Sequence, residues 1–405
     1  MPVFTEFSAA SRELRVLPSF APPLPRLSPA FNPSSSSTST SSTSSTTNDK
    51  YEVVIVGAGP AGLMLDLLLA RYGLSDGSLL CVDAKSSSLR SGQADGLQPR
   101  TLEVLKSLGL ADEILNDGCH MEEVAFWNPT GQKEGDVIER TSIVPDVSVP
   151  ARFQHEVTIH QGRIERILET DLLRYSKRGV LRNTKLVGAR IDEGDEEFPV
   201  VVEIETGDGE GKVRRTVRSK YLVGADGAHS NVRRCMGLSL EGESSDHIWG
   251  VVDLVIDTDF PDIRRRTAIH SPAGSVMVIP REKIATGDYL TRLYVQVPED
   301  EIEAGDDKKA TEGAKARRAG VTLESIFDNA AAAFKPYYIK PKENGAVDWW
   351  AAYQIGQRVS GQFALKDSKG INRVFIAGDA CHTHSPKVFI SPDLTNVLIS
   401  RPAKE

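Results

Sequence analysis

Short apolar runs rich in β-branched residues recur along the chain, and glycines follow most of them. The first covers residues 51–56 and stands directly before the segment GAGPAG. Three similar runs occur near residues 78–84, 219–226 and 372–379. A short, mostly apolar run is typical of a strand that is buried on both faces of a parallel sheet. The pattern therefore predicts an α/β unit with at least four parallel strands.

The pattern of apolar and polar residues changes between residues 240 and 300. Segments such as HIWGVVDLVIDTDF and YLTRLYVQVPE are strand-like and separated by turns, with no helical period between them. This pattern predicts an antiparallel sheet that is inserted into the first domain as a second layer. Residues 303–335 are predicted to be helical and exposed on the surface.

Residues 1–49 differ from the rest because they are rich in proline and then in serine and threonine. Such a segment buries too little apolar surface to offset its chain entropy, which predicts disorder. A transit peptide is the alternative, since Arg12, Arg15 and Arg26 are basic. Glu6 and Glu13 count against it, because transit peptides contain few acidic residues.

Composition restricts the classes of partner and compartment. The chain has 405 residues and a formal net charge of −8, which argues against nucleic acid or an anionic membrane as partner. It has no run of 18 apolar residues, so no membrane span is expected. Its four cysteines are scattered without paired spacing, which favours a reducing compartment and a cytoplasmic location.

The first chemical signal is a G-x-G-x-x-G pattern between a predicted strand and a predicted helix. The glycines permit a tight turn, close approach of the backbone to a pyrophosphate, and close packing of helix on strand. Asp83 ends the second predicted strand, where a carboxylate can accept hydrogen bonds from a ribose. The pattern predicts a dinucleotide site, without deciding between NAD and FAD. Its candidate residues besides Asp83 are Gly57, Gly59, Pro60, Ala61 and Gly62.

Two later segments decide between the cofactors through a resemblance. YLVGADGAHSNVRR contains Asp226 and Gly227, and RVFIAGDACHTHSP contains Gly378 and Asp379. With the glycine pattern, they resemble the three motifs of the single-component FAD-dependent aromatic hydroxylases. SGQADGLQPRTLEVLKSLGLADEIL, HIWGVVD, LYVQV and FIAGDACHTHSPK further resemble the phenol 2-monooxygenase branch. The resemblance extends from about residue 51 to residue 387.

The resemblance implies a p-hydroxybenzoate hydroxylase-like α/β fold, in which a Rossmann-like FAD-binding domain is interleaved with an antiparallel substrate domain. The expected division is a disordered tail (1–49), the first part of the FAD-binding domain (50–240), the substrate domain (241–365), a return to the FAD-binding domain (366–387) and an aberrant tail (388–405).

The family reaction is the hydroxylation of a phenolic substrate. NADPH, a transient visitor without a Rossmann domain of its own, reduces FAD, and O2 then gives a flavin C4a-hydroperoxide that oxygenates the ring beside its hydroxyl. The implied partners are a small phenol and O2, with a homodimer expected for the full-length form, and neither nucleic acid nor membrane.

Catalytic roles are carried over residue by residue. Asp95 matches the acid that takes or holds the phenol proton, Tyr294 the tyrosine that hydrogen-bonds the substrate oxygen, and Arg281 the arginine near the flavin ring. Gln161 and Arg100 match flavin-side positions. From the residues alone, an ordinary loop aspartate before Gly96 is the favoured interpretation of Asp95. Tyr294 is equally readable as a half-buried strand aromatic, and a surface charge at a strand end is the alternative for Arg281.

The sequence argues against two other interpretations. Cys381, His382 and His384 lie in the flavin loop of the resemblance, adjacent Cys and His side chains point apart on an extended chain, and no metal site is predicted there. A halogenase of the same fold carries a Trp-x-Trp-x-Ile-Pro signature, which DWWAAYQIG does not match.

The resemblance ends after residue 387, where the family continues with Ala-Gly-Gln-Gly-Met-Asn and a helix. The codons for residues 401–405 and a stop can be read in another frame as Ala-Gly-Gln-Gly-Met, and Val388 requires a GTN codon. The sequence thus predicts a translated short intron and a truncated product, with genuine divergence as the alternative. A flavin-binding remnant without turnover is accordingly the second functional hypothesis.

Overall fold

The computed structural model describes residues 49–74, 76–89, 96–131, 137–207, 209–297, 320–343 and 347–384. Residues 1–48 of the N-terminal tail, residues 388–405 and Asp95 lie outside these residues. The chain forms two compact units. We call them the parallel-sheet unit, from the described residues within 24–88, 168–244 and 355–405, and the antiparallel-sheet unit, from those within 89–167 and 245–354.

The described residues contain these helices: α1 (Pro60–Arg71), α2 (Pro99–Ser107), α3 (Ala111–Asp117), α4 (Gln161–Leu172), α5 (Asn231–Cys235) and α6 (Leu323–Ala333). They also contain these strands: β1 (Lys50–Val56), β2 (Leu79–Val82), β3 (Gly96–Leu97), β4 (Cys119–Met121), β5 (Glu123–Pro129), β6 (Ile138–Pro145), β7 (Glu156–Thr158), β8 (Val180–Leu181), β9 (Thr184–Ile191), β10 (Val200–Thr206), β11 (Val213–Gly224), β12 (Leu240–Leu254), β13 (Ile256–Thr258), β14 (Arg266–Ser271), β15 (Gly274–Lys283), β16 (Tyr289–Val297), β17 (Ile339–Pro341), β18 (Val347–Ser360), β19 (Ala364–Lys366), β20 (Asn372–Ile376) and β21 (His382–Thr383).

The parallel-sheet unit is organised around the strand order β19-β20-β11-β1-β2-β8. The pairs β20–β11, β11–β1, β1–β2 and β2–β8 are all parallel. The four predicted buried strands are therefore confirmed as β1, β2, β11 and β20. β9 and β10 extend β11 by an antiparallel meander.

Apolar side chains from neighbouring parallel strands form the core of this unit. Val54, Leu80, Leu222 and Val374 belong to one buried cluster. On α1, Leu63 is fully buried. Each such side chain contributes roughly 1.5–3 kcal/mol by leaving water, so the sheet and its first helix form a rigid support for the loops that follow the strands.

The antiparallel-sheet unit contains most of a sheet with the order β21-β18-β12-β16-β15-β14-β5-β6. The neighbours β12–β16, β15–β16 and β14–β15 are antiparallel, which confirms the prediction for residues 240–300. One pair, β14–β5, is parallel. Residues 96–167, which the sequence analysis assigns to the FAD-binding domain, lie in this unit.

Helix α6 corrects one sequence prediction. It lies within the range predicted to be helical, but it is not an exposed surface helix, because Ile326 and Ala330 are fully buried. Its apolar residues recur at helical spacing and pack on the sheet, where a Cβ atom on Gly250 would lie 2.4 Å from Ile326 Cγ1. Thr322 and Ser325 begin the helix with a reciprocal capping box.

No helix in the described part of the chain is both long enough and apolar enough to cross a bilayer.

Candidate functional site

The sequence motifs of the parallel-sheet unit lie at one edge of its sheet. Backbone hydrogen bonds align the loops that follow the strands: Gly57 N donates to Val82 O (2.8 Å) and Ala225 N to Val56 O (2.7 Å). Ala377 N donates to the last carbonyl of β11 (2.8 Å). Because these strands are parallel, the loops that follow β1, β2, β11 and β20 meet at the carboxyl edge, where open α/β sheets bind their ligands.

The glycine pattern is required by space as well as by backbone conformation. Gly57 has φ +101°, and a Cβ atom there would lie 2.3 Å from Ala225 O. A Cβ atom on Gly62 would lie 1.9 Å from Gly57 O. Around a Cβ atom on Gly59, by contrast, no heavy atom lies within 4 Å among the described residues. Gly57 and Gly62 therefore close the turn, and the space beside Gly59 stays open, as pyrophosphate binding requires. We call this loop, residues 57–62, the glycine cradle.

Helix α1 starts in this cradle. Gly59 is its N-cap residue, Pro60 occupies the first helical position, and no side chain of the described residues caps this end. The N–H groups of the first turn and the positive end of the helix dipole are thus directed toward the open space. This arrangement favours a bound phosphate.

Asp83 is buried and bonded to the cradle. Its Oδ2 accepts a hydrogen bond from Ala58 N (2.6 Å) and its Oδ1 one from Lys85 N (2.7 Å). The carboxylate therefore fixes the glycine loop, and each oxygen keeps a further lone pair for a hydroxyl donor. Its contact with a ribose stays a prediction.

Asp226 performs a structural task that the sequence analysis missed. Its carboxylate caps α5 by accepting from Asn231 N (2.7 Å) and Val232 N (3.2 Å), and it also accepts from the hydroxyl of Ser230. Gly227 follows with φ +78°, a conformation that glycine adopts without strain. An acid ahead of a short helix was the available signal for this cap.

The loop after β20 packs on the cradle from the other side. Gly378 has φ +61°, and a Cβ atom there would lie 3.2 Å from the Cβ atom of Ala61. Asp379, in the 3-10 turn Gly378–Ala380, is exposed. Its carboxylate is therefore accessible to hydroxyl donors at the same edge of the sheet.

Arg233 joins two of these loops; the sequence places it in the motif YLVGADGAHSNVRR but assigns it no role. It is buried, and its guanidinium donates to Ala380 O and to Ala228 O, at 2.8 Å each. Burial lowers its pKa. Its neighbour Arg234 is exposed, so the buried member of the Arg-Arg pair could not be identified before the fold was known.

In the antiparallel-sheet unit, Tyr294 and Arg281 are both buried. Arg281 is fully buried on β15, and its Nε donates to Glu282 Oε2 (3.0 Å). Tyr294 lies on β16, with its hydroxyl 3.4 Å from Nη1 of Arg292. Arg281 is therefore not a surface charge, and its neighbourhood is ionic.

One carboxylate contacts both buried arginines. Asp253 Oδ1 accepts from Arg292 Nε (2.7 Å), and Oδ2 accepts from Arg292 Nη2 (2.8 Å) and from Arg281 Nη1 (3.4 Å). All three side chains are fully buried. The sequence analysis identified neither Asp253 nor Arg292, because the pairing joins strands far apart in the sequence.

The two flavin-side candidates differ in their surroundings. Gln161 begins α4, and its Nε2 donates to Oε1 of the buried Glu165 (2.8 Å). Arg100 is exposed on α2 and pairs with Glu103 (2.9 Å). Their roles toward a cofactor stay predictions.

The segment with Cys381 and His382 is held by local contacts. Cys381 Sγ donates to Gly378 O (3.1 Å), and the rings of His382 and His384 stack with centroids 6.0 Å apart. Within the part of the chain that the structure describes, no group of three or more His, Cys, Asp or Glu side chains could hold a metal ion.

A cavity of about 640 Å³ also lies in the antiparallel-sheet unit. Apolar Val255 and Ile263 line it together with Tyr289, and charged side chains complete its wall. Its lysines are paired, Lys342 with Asp288 at 2.6 Å. Neither Tyr294 nor Arg281 lines this cavity.

A glycine cradle at the carboxyl edge of a parallel sheet defines a dinucleotide-binding protein. The family comparison specifies the cofactor, because residues 50–388 match the model of the FAD binding domain. The chain belongs to this family, and its members among the curated relatives are flavin-dependent monooxygenases.

Two of these relatives indicate the branch. The chain is 41% identical over 344 residues to the flavin-dependent oxygenase ucdD of Aspergillus ustus, covering 84% of this chain and 52% of the relative. It is 38% identical over 344 residues to the phenol 2-monooxygenase fsqG of Aspergillus fumigatus, with the same coverage of 84% and 52%. The chain thus spans about half the length of these relatives.

The fold is shared with a solved aromatic hydroxylase. The p-nitrophenol 4-monooxygenase PnpA of Pseudomonas putida superimposes with a TM-score of 0.61 at 21% identity, covering 84% of this chain and 75% of that one. This likeness confirms the expected fold class.

Proposed function

We propose that this protein is an FAD- and NAD(P)H-dependent monooxygenase that hydroxylates a phenolic substrate. The observation that carries the proposal is the convergence of all three flavin motifs at the carboxyl ends of adjacent parallel strands. The relatives named above support the reaction class. Because the chain spans about half of their length, the activity of the whole protein belongs to the proposal.

The residues at this edge fit FAD. The N-terminus of α1 and the open space at Gly59 suit the diphosphate. Asp83 suits the ribose, and the exposed Asp379 suits the ribityl hydroxyls, because carboxylates accept hydrogen bonds from such groups. FAD, when bound, supplies the redox chemistry that activates oxygen.

The phenol requires groups that no cofactor supplies. In the proposal, Asp95 accepts the phenol proton, Tyr294 hydrogen-bonds the phenol oxygen, and Arg281 contributes positive charge beside the flavin ring. The site also excludes water, since water diverts activated oxygen to hydrogen peroxide. NAD(P)H and O2 are the co-substrates. We place the protein in the cytoplasm, which the scattered cysteines support. The family resemblance supports a homodimer for the full-length form.

Purified protein tests the proposal directly. We expect flavin absorption bands from bound FAD, and consumption of NADPH that phenol stimulates with formation of catechol. Asp379→Ala should weaken FAD binding, whereas Asp112→Ala, which removes an exposed carboxylate of α3, should not. A folded protein that takes up no FAD would contradict the cofactor assignment, and FAD binding without phenol-dependent catechol would contradict the reaction.

A further inference from the structure

The cavity in the antiparallel-sheet unit has no part in the proposed reaction. It is bounded by the loop before β14, the turn between β15 and β16, and the ribbon of β13 and β17. Its volume of about 640 Å³ is within the range of roughly 300–1,000 Å³ that is typical of small-molecule sites. Neither Tyr294 nor Arg281 lines it. The cavity is therefore a candidate site for a second ligand.

Most charged side chains of the cavity wall are paired with one another. Lys342 Nζ pairs with Asp288 Oδ1 (2.6 Å), and Lys340 Nζ pairs with Asp257 Oδ2 (3.2 Å). Glu343 also lines the cavity, but it is exposed, so water and salt screen its carboxylate. The sign of charge that a ligand can carry therefore depends on the remaining cation of the described wall.

That cation is Arg264. Its Nη1 donates to Leu290 O (3.0 Å), and its Nη2 donates to Arg281 O (3.0 Å) and Cys119 Sγ (3.4 Å). These acceptors are uncharged, since burial raises the pKa of the Cys119 thiol. Within the described part of the chain, no carboxylate forms an ion pair with Arg264. A guanidinium has five N–H donors, so these three contacts leave donors for an anionic ligand.

Partial burial strengthens the case for an anion. Arg264 is accessible from solvent, yet burial of its guanidinium lowers its pKa. A charge that is partly removed from water attracts an opposite charge more strongly than a fully solvated one does. A ligand that brings a carboxylate to Arg264 thus supplies the partner that the described chain does not.

The cavity also presents apolar and aromatic surface. Val255 and Ile263 line it, and the ring of Tyr289 lies 4.5 Å from the centre of the Arg264 guanidinium. Tyr289 is 51% exposed, so a ligand can reach its ring. A planar aromatic ligand can pack on such a ring while its anionic group contacts the neighbouring arginine.

We propose that this cavity is an accessory binding site for a small aromatic carboxylate. The carboxylate accepts hydrogen bonds from Arg264, and the aromatic ring packs on Tyr289 and against Val255 and Ile263. The inference does not rest on the proposed function, because none of these residues is assigned to the flavin or to the phenol.

Benzoate is the probe that tests this site. It is titrated into the full chain loaded with FAD, with and without saturating phenol, and calorimetry measures its dissociation constant. We expect benzoate to bind at least about 10-fold more tightly than benzamide, which keeps the ring without the charge. Acetate, which has the charge without the ring, should also bind more weakly. Saturating phenol should leave the affinity for benzoate unchanged.

Two variants and two matched controls locate the binding. Arg264→Gln should weaken benzoate binding at least about 10-fold, as expected for the loss of a charge-assisted hydrogen bond. Tyr289→Glu should weaken it similarly, because the new carboxylate competes for Arg264, and it replaces Arg264→Gln if that protein does not fold. Arg190→Gln and Tyr72→Glu make the same charge changes at exposed positions of the parallel-sheet unit. These controls should keep the dissociation constant within about twofold.

The outcomes are distinguishable. The absence of saturable benzoate binding, or equal losses in the cavity variants and the controls, would overturn the inference. If phenol displaces benzoate while both cavity variants keep their affinity, benzoate occupies the phenol site, and the inference is wrong while the proposed function stands. A chain that binds benzoate in the expected pattern but forms no catechol would contradict the proposed function alone.

Discussion

Asp66 offers a sharp test of how burial controls a charge in this fold. It lies in the middle of α1, is 3% exposed, and interrupts an otherwise apolar helix. Burial raises its pKa from 3.8 to about 7, partly offset by a hydrogen bond from the thiol of Cys81 and by the positive charge of Arg178. The Cys81 thiol stays a neutral donor, because burial raises its own pKa well above the usual value.

The sign and size of the effect follow from proton linkage. Between pH 4 and pH 7 the folded protein keeps a proton on Asp66 that the unfolded chain releases, so stability falls as pH rises through this window. A shift from 3.8 to about 7 corresponds to about 4 kcal/mol at 1.36 kcal/mol per unit. Above pH 7 the folded group ionises too, and the loss levels off.

Asp66→Asn removes this ionisation while keeping the shape and an oxygen that accepts from the thiol. We expect the variant and the unaltered protein to be similarly stable near pH 4, and the variant to be more stable by up to about 4 kcal/mol at pH 8. Urea unfolding between pH 4 and pH 8 gives the free energy of unfolding of each protein. The contributions of the other titrating groups cancel when one value is subtracted from the other. Glu196→Gln is the control, since its carboxylate is 79% exposed.

A difference that is flat with pH would refute the reasoning, because it would mean that Asp66 titrates alike in both states. A variant less stable than the unaltered protein at pH 8 would show that the ionised carboxylate makes compensating interactions. A control that shows the same pH dependence would assign the effect to net charge instead of burial.

Five other substitutions probe the loops and one helix. Gly59→Ala should fold but bind FAD at least about 10-fold more weakly, because the new methyl enters the space for the diphosphate. Gly62→Ala should lower thermal stability as well, because its Cβ atom would lie 1.9 Å from Gly57 O. Flavin fluorescence measures the binding of FAD, and melting curves measure the stability of each variant. Arg233→Met should loosen FAD binding by about 10-fold through two lost loop contacts, and Arg234→Met, an exposed neighbour, should have little effect in the same titration. Thr322→Ala should remove the capping box of α6 and cost about 1 kcal/mol in urea unfolding; no loss would show that the cap is dispensable.

The sequence predicts most of the parallel-sheet unit because its signals are local. A run of apolar residues, three glycines and a proline determine strand, turn and helix start within about 12 residues, and the structure places β1, the cradle and α1 there. The signals for the antiparallel strands between residues 240 and 300 are equally local, since strand-like segments and the turns between them determine these strands.

Contacts between distant segments escape such reasoning. Asp253 and Arg292 are separated by 39 residues and meet only through the register of β12 and β16. Arg233 reaches a carbonyl 147 residues away. The buried face of α6 was missed for a related reason, because Ile326 and small alanines form a stripe that packs only once the sheet provides Gly250 opposite it.

The strand order has a consequence for synthesis on the ribosome. β1 pairs on one side with β2, which follows immediately, but on the other side with β11, which ends at Gly224. Because the ribosome adds roughly 5–20 residues per second, β11 is synthesised on the order of 10 s or more after β1. The second edge of β1 stays unpaired during this time. An apolar strand with unsatisfied backbone groups is prone to association during that interval. We expect nascent chains halted between β2 and β11 to depend on chaperones, and chains released after β11 to depend on them less.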